Sequence, residues 1–128
     1  MEKTNKRKIL VVDDDENLRL VLTDKLNIAG FDAAGATNGK EGLDKAIEWH
    51  PDIILLDILM PIMDGWTMLR KLREDDWGKK AKVVMLTGVE GVEAVSKAVE
   101  DGISAYIVKT NESVSGIVEK VNVILRSI

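Results

Sequence analysis

ILVVDDD, residues 9–15, joins four apolar residues to three consecutive aspartates, and IILLD, residues 53–57, repeats the pattern with one. Apolar runs this short and this rich in Val and Ile are typical of buried strands in a parallel sheet. Because the carboxyl ends of parallel strands lie at one edge of the sheet, we expect Asp13, Asp14 and Asp57 to lie close together. The pattern therefore predicts an α/β fold with an acidic site at that edge.

Two later apolar runs are followed by residues that could bind an anion. The run 82–86 is followed by Thr87, a neutral hydroxyl, and the run 105–108 is followed by Lys109, a cation. Carboxylates gathered without a partner would repel one another, so the acids make most sense around a hard divalent cation such as Mg²⁺. The lysine and the threonine could hold an anionic ligand beside them. The sequence thus predicts a site for a metal ion and a phosphoryl group together.

Five apolar runs alternate with five helical patterns along the chain. The predicted strands are Ile9–Val12, Phe31–Ala36, Ile53–Leu56, Lys82–Leu86 and Ala105–Val108. The apolar positions of the helices are Leu18, Val21, Leu22, Leu26 and Ala29; Leu43, Ala46 and Ile47; Leu69 and Leu72; Val92, Val95, Ala98 and Val99; and Val114, Ile117, Val118, Val121 and Leu125. Gly30, Pro51 and Gly102 stand where three of these helices should stop. This alternation predicts a parallel sheet covered by helices on both faces.

Composition bounds the class of protein. A chain of 128 residues fits one domain, and 18 basic against 22 acidic residues give no reason to expect direct binding to nucleic acid or to an anionic membrane. The absence of cysteine excludes disulfides and thiolate metal ligands, which suits a cytoplasmic protein. The polar start MEKTNKRK is followed by only four apolar residues, so neither a secretory signal nor a membrane span is expected.

Four fragments in this order resemble the receiver domain of two-component response regulators: ILVVDDDEN, PDIILLDILMPIMDG, VVMLTG and AYIVK. Thr87 comes 30 positions after Asp57 and Lys109 comes 22 positions after Thr87, and the ordered set is far more specific than any one fragment. The resemblance implies a doubly wound, flavodoxin-like sheet of five parallel strands in the order 2-1-3-4-5 with five helices. One receiver domain would then span residues 1–128, with a polar tail at residues 1–7.

The resemblance also implies the chemistry of the acids. Asp57 would accept a phosphoryl group from a phosphohistidine on a sensor histidine kinase or a phosphotransfer protein. Mg²⁺, or Mn²⁺ in its place, would be bound directly by Asp14, Asp57 and the backbone carbonyl of Leu59, and through water by Asp13. Such a domain accepts phosphate and assists its own slow dephosphorylation, and it is not an enzyme acting on a separate substrate.

The remaining implied roles concern binding of the phosphoryl group and its consequence. Lys109 would pair with one phosphoryl oxygen and the Thr87 hydroxyl would bond another. Tyr106 stands where the family has an aromatic switch, which turns inward when Thr87 moves toward the phosphate. The reshaped face would be made by helix four, strand five and helix five, and it would bind a downstream target protein or a fused output domain.

Two departures from the family pattern carry their own expectations. Lys109 is followed by Thr110 where most receivers have proline after a cis bond, so the loop must either carry a costly cis bond or run trans and aim the lysine differently. Leu59 and Val89 occupy the positions that tune hydrolysis of the acyl phosphate. Both are apolar and cannot orient an attacking water, so we predict slow self-dephosphorylation.

Plainer interpretations of the same residues stay open at this point. Asp15 is best explained as a helix N-cap, Asp57 alone could be a turn residue, and Lys109 alone could be a solvated surface lysine. Tyr106 could be a half-buried tyrosine on an edge strand. The rival functions are a metal-free pseudo-receiver that only docks, a Mg²⁺-dependent aspartyl phosphatase of the haloacid dehalogenase type, and a flavodoxin-like FMN carrier. For the phosphatase, this chain is too short to include a substrate cap. For the FMN carrier, it has three aspartates after the first strand instead of a hydroxyl-rich phosphate loop.

Overall fold

A computed structural model describes residues 6–126 and contains one sheet of five parallel strands in the order 2-1-3-4-5. The strands are β1 (Lys8–Val12), β2 (Asp32–Ala36), β3 (Ile53–Leu56), β4 (Val83–Thr87) and β5 (Ala105–Val108). The helices are α1 (Glu16–Ile28), α2 (Gly39–Trp49), α3 (Gly65–Glu74), α4 (Val92–Glu100) and α5 (Val114–Arg126). The predicted fold class and strand order are confirmed.

The central strands are buried on both faces, which explains their unbroken apolar runs. In β1, Leu10 and Val12 belong to the core on one face of the sheet, together with residues of α2, α3 and α4. Ile9 and Val11 belong to the core on the other face, together with residues of α1 and α5. Because successive side chains of a strand point to opposite faces, one short run serves both cores.

Several helices begin or end at residues suited to capping them. Asp15 is the N-cap of α1, as predicted, and its side chain accepts a hydrogen bond of 3.2 Å from Leu18 N. Gly30 and Gly102 follow α1 and α4 with φ angles of 101° and 75°, which a glycine adopts without strain. The left-handed residue after α2 is His50, with φ 54°, and its ring stacks on Trp77 at 4.4 Å.

Some details differ from the sequence-based expectation. Thr87 is the last residue of β4 rather than the residue after it, and two short 3-10 turns, Gly78–Lys80 and Lys109–Asn111, were not expected. Five positions assigned to apolar helix faces are exposed rather than packed against the sheet: Val21, Ala29, Ile47, Val95 and Val99. Most of the predicted polar tail, residues 1–5, lies outside the described residues.

The bond from Lys109 to Thr110 is trans, as is every peptide bond in the described part of the chain. The 3-10 turn that starts at Lys109 lets the chain leave β5 without a cis bond. None of the helices within residues 6–126 has the length and apolar character needed to cross a membrane.

Candidate functional site

The carboxyl edge of the sheet brings the predicted site residues together. Asp13 follows β1, Asp57 follows β3, and both are buried although they are acids. Thr87 ends β4 and is fully buried, and Lys109 follows β5. Residues far apart in the chain therefore meet because their strands are neighbours in a parallel sheet, at the edge where ligands bind in such folds.

Asp13 is held from several directions. Its Oδ1 accepts a hydrogen bond of 2.9 Å from Asp15 N, and its Oδ2 lies 2.7 Å from Lys109 Nζ. Its backbone carbonyl accepts a bond of 2.8 Å from Arg19 Nη1. Burial raises the pKa of Asp13 above its ordinary value and the charge of Asp57 adds to the rise, against the opposing bonds from Lys109 and Asp15 N. A second cation would therefore be favoured at this carboxylate.

One carboxylate oxygen of Asp57 accepts a hydrogen bond from the backbone, and the other accepts one from Lys109. Its Oδ1 accepts a hydrogen bond of 2.7 Å from Ile58 N, and its Oδ2 accepts one of 3.0 Å from Lys109 Nζ. These contacts fix the orientation of the carboxylate. The side chain is thus positioned before any ligand binds, which favours its use as a nucleophile.

Lys109 bridges two carboxylates at once, through the Asp13 and Asp57 contacts just described. Burial lowers the pKa of Lys109, but the hydrogen bonds and charges of the two aspartates outweigh it, so the net pKa is raised. The ammonium is therefore held charged at neutral pH. The trans bond to Thr110 does not keep Lys109 from the site.

The acids also form a plausible cation site. Asp13, Asp14 and Asp57 each offer a carboxylate oxygen, and these three atoms lie within 4.8 Å of one another, Asp14 being exposed. These three carboxylates would hold the ion, and it would supply positive charge beside Asp57. Three carboxylates and one ammonium leave two negative charges, which a divalent cation would balance. Hard oxygen donors of this kind fit Mg²⁺.

Thr87 and Tyr106 meet at a single residue, Val89. The Thr87 hydroxyl oxygen accepts a hydrogen bond of 3.2 Å from Val89 N, and the Tyr106 hydroxyl donates one of 2.6 Å to Val89 O. Val89, at one of the two positions predicted to tune dephosphorylation, packs beside Tyr106 against the core. Burial raises the pKa of Tyr106, and the charge of Asp57 adds to the shift. The predicted switch pair is therefore joined through the loop between β4 and α4.

Leu59, the other predicted tuning position, projects into solvent with 68% of its surface exposed. It lies two residues after Asp57 in the loop that leads to α3. The role of its carbonyl as a metal ligand stays a prediction.

Two supporting residues were missed by the sequence analysis. Gly65 lies so close to the end of β3 that a Cβ there would clash with the carbonyl oxygen of Asp57, and Gly65 N donates a bond of 2.8 Å to Ile58 O. Arg19 holds the carbonyl of Asp13 from the second turn of α1. Neither contact has a local sequence signal, although a glycine beginning a helix after a long loop could have suggested a close approach.

The chain belongs to the response regulator receiver domain family, whose model matches residues 9–122. Receiver domains are signalling domains of two-component systems, and response regulators interact with histidine kinases and output partners. The fold and the order of the site residues had already pointed to this class.

Among curated relatives, the chemotaxis protein CheY of Thermotoga maritima is 34% identical over 117 residues, covering 91% of this chain and 95% of that protein. The chain spans 42%, 22% and 43% of the length of the first three curated relatives it matches. It is thus similar both to a single-domain protein and to part of longer ones.

Two solved structures illustrate the likeness of fold. A CheY-like receiver domain from Methanospirillum hungatei has a TM-score of 0.87 at 28% identity, covering 96% of each chain. CheY in the CheX–CheY–BeF₃–Mg²⁺ complex from Borrelia burgdorferi has a TM-score of 0.84 at 30% identity, covering 93% of this chain and 89% of that one.

Proposed function

We propose that this receiver domain is a phosphoacceptor that takes a phosphoryl group onto Asp57 from a phosphohistidine of a sensor histidine kinase or a phosphotransfer protein. The observation that carries the proposal is the shared contact of Lys109 with Asp13 and Asp57, buried at the carboxyl edge of the sheet. A surface acid or a solvated lysine would need no such arrangement. The expected location is the cytoplasm.

The proposed step is a displacement at phosphorus. A carboxylate oxygen of Asp57 forms the new bond to phosphorus while the bond from phosphorus to the histidine nitrogen breaks and its electron pair returns to the imidazole. Lys109, already 3.0 Å from Asp57, would turn toward a phosphoryl oxygen as the group arrives. The Thr87 hydroxyl would donate a hydrogen bond to a second oxygen.

A divalent cation is part of the proposal because the acids outnumber the base. Asp13, Asp14, Asp57 and the Leu59 carbonyl would hold Mg²⁺, or Mn²⁺ in its place. When bound, the ion would neutralise the charge on the oxygens of the transferred phosphoryl group. The protein's own contribution is to fix the carboxylates, through Ile58 N at Asp57 and through Asp15 N at Asp13.

The output of the domain would be a change in the loop that begins at Gly88. The Thr87 hydroxyl accepts a bond from Val89 N, so a movement of Thr87 toward a phosphoryl oxygen would pull on Val89, which Tyr106 holds from the carbonyl side. The movement would alter the face made by α4, β5 and α5, where a target protein or output domain would bind. The Borrelia complex, which contains CheX and CheY with BeF₃ and Mg²⁺, supports a protein partner for a domain of this family.

The proposal is tested with acetyl phosphate and Mg²⁺, followed by intact mass measurement, because a small donor requires no knowledge of the kinase. The protein should gain the mass of one phosphoryl group, and Asp57→Asn should gain none. The matched control is Asp15→Asn, which replaces an aspartate only two residues from Asp13. Because asparagine is as good an N-cap as aspartate, this control should be phosphorylated like the wild type.

Two results would overturn the proposal. One is a wild-type protein that binds Mg²⁺ but gains no mass with acetyl phosphate or with another small phosphoryl donor. The other is equal labelling of the wild type and Asp57→Asn, which would place the phosphate elsewhere.

A further inference from the structure

The outer edge of β2 is a region that the proposed chemistry does not use. The strand order leaves β2 at one edge of the sheet, paired only with β1. Asp32 N donates to Arg7 O at 2.8 Å, and Ala36 O accepts from Asp13 N at 3.1 Å, so these residues face β1. Since alternate residues of a strand direct their peptide groups to the same side, the residues between them face outward.

The outward row consists of Ala33 and Gly35, followed by Thr37 just after the strand. Such a row of peptide groups is a template on which another strand can pair. The side chains of β2 add little steric protection, because its sequence is DAAGA. An edge of this kind invites association unless something else satisfies the peptide groups.

Asn27, in the last turn of α1, forms hydrogen bonds with the peptide N–H and C=O of Ala33. Its Oδ1 accepts a hydrogen bond of 2.8 Å from Ala33 N, and its Nδ2 donates one of 3.4 Å to Ala33 O. A side-chain amide is the same chemical group as a peptide. Asn27 therefore pairs with both groups of Ala33, as a residue of a neighbouring strand would.

Two residues of α2 bond two further peptide groups of the row, Gly35 O and Thr37 N. Lys45 Nζ donates a hydrogen bond of 2.6 Å to Gly35 O, and Glu41 Oε1 accepts one of 2.8 Å from Thr37 N. Lys45 Nζ and Glu41 Oε1 lie 3.8 Å apart, so the two bonds belong to one network. Side chains from two different helices thus meet along one strand edge.

We propose that Asn27, Lys45 and Glu41 form a side-chain seal that closes the free edge of β2 to strand addition, and that the excluded partner is β2 of a second copy of this chain. Two copies related by a two-fold axis would pair their β2 strands antiparallel and extend the sheet across the contact. The small residues of β2 allow the close approach that this requires. The seal keeps the chain from associating through this edge.

The test compares two changes on the same helix. The open-edge variant carries Asn27→Ala, Lys45→Ala and Glu41→Ala. The control carries Lys40→Ala and Asp44→Ala, which remove a different, exposed i,i+4 ion pair of α2. The open-edge variant should sediment as a concentration-dependent dimer, whereas the control and the wild type should be monomers. A folded open-edge variant that stays monomeric at millimolar concentration would overturn the proposal.

Amide hydrogen exchange tests each bond even if the triple variant does not fold. Asn27→Ala should speed exchange at Ala33 roughly tenfold, and Glu41→Ala should do the same at Thr37, because each amide loses its acceptor. Glu41→Gln keeps an acceptor oxygen and should restore protection at Thr37. Unchanged exchange at Ala33 in Asn27→Ala would show that the seal does not protect the edge.

Discussion

The pocket formed by Asp13, Asp57 and Lys109 and the segment that runs from Gly88 through α4 lie side by side but are built differently. In the pocket, the two carboxylates are buried and each has a backbone N–H donor as well as the shared lysine. In the segment, Ala98 is the one buried side chain of α4 among those described, and Val95 and Val99 are exposed. The loop before α4 is joined to the core through Thr87 and Tyr106.

This contrast separates the place of the chemistry from the place of its consequence. Reacting groups are best held by rigid elements and by bonds that exist before the ligand arrives. A segment with few buried contacts opens at low free-energy cost, so a small local change can shift its population. The predictions below act on the pocket, on the loops that flank it and on the segment.

Removing the lysine should have the largest effect. Lys109→Met leaves two buried carboxylates without their cation and removes a donor to the phosphoryl group. We expect phosphorylation by acetyl phosphate to slow about a hundredfold, the usual cost of one such donor. Lys120→Met, which breaks a more exposed ion pair with Glu112, is the control and should leave the rate unchanged. An equal rate in both variants would show that the pocket does not depend on its cation.

The apolar tuning positions should affect the lifetime of the phosphorylated state. Leu59→Asn combined with Val89→Glu supplies polar groups that can orient water toward the acyl phosphate. We expect the phosphorylated lifetime to shorten roughly tenfold, measured as loss of phosphoryl mass after the donor is removed. Leu59→Met keeps the position apolar and should leave the lifetime as it is. If the double variant decays at the wild-type rate, the slow hydrolysis has another cause.

The buried carboxylate of Asp13 should make stability depend on pH. Because its pKa is raised in the folded protein, Asp13 favours folding when protonated, and this contribution is lost as pH rises from below the ordinary value of 3.8 through the raised one. Without Mg²⁺, Asp13→Asn should therefore have a higher free energy of unfolding than the wild type at neutral pH. Urea titrations at several pH values measure this difference.

Magnesium should reverse the ranking of those two proteins. An ion that binds only the folded state raises the free energy of unfolding, and the wild type offers one more carboxylate to bind it. Asp15→Asn serves again as the control, and it should follow the wild type at every pH. A wild-type protein that is more stable than Asp13→Asn without Mg²⁺ would contradict the argument from burial.

Loosening the segment should have the smallest effect. Tyr106→Phe keeps the ring but removes the hydroxyl that donates to Val89 O. We expect a loss of about 1 kcal/mol in stability, faster amide exchange at residues 88–91, and little change in the rate with acetyl phosphate. Faster exchange throughout the sheet instead would mean that Tyr106 supports the whole fold rather than this loop.

The sequence predicted the arrangement of the strands and the meeting of the site residues, because both follow from short apolar runs and what stands after them. The ion pairs of Lys109 were only partly foreseeable, since which carboxylates its ammonium contacts depends on packing across the sheet. The exposed Val95 and Val99 show the limit of periodicity, which marks an apolar stripe but not which part of it meets the core. Contacts such as Asn27 with Ala33 depend on loop geometry, for which the chain carries no local signal.

Gly65 has a consequence for which substitutions this chain can tolerate. Any side chain there would meet the carbonyl oxygen of Asp57, so even alanine would force the end of β3 and the start of α3 apart. Leu59 and Ile62, in the same loop, have 68% and 80% of their surfaces exposed and meet no such barrier. We therefore expect this loop to tolerate substitutions at Leu59 and Ile62 but not at Gly65, where the loop ends.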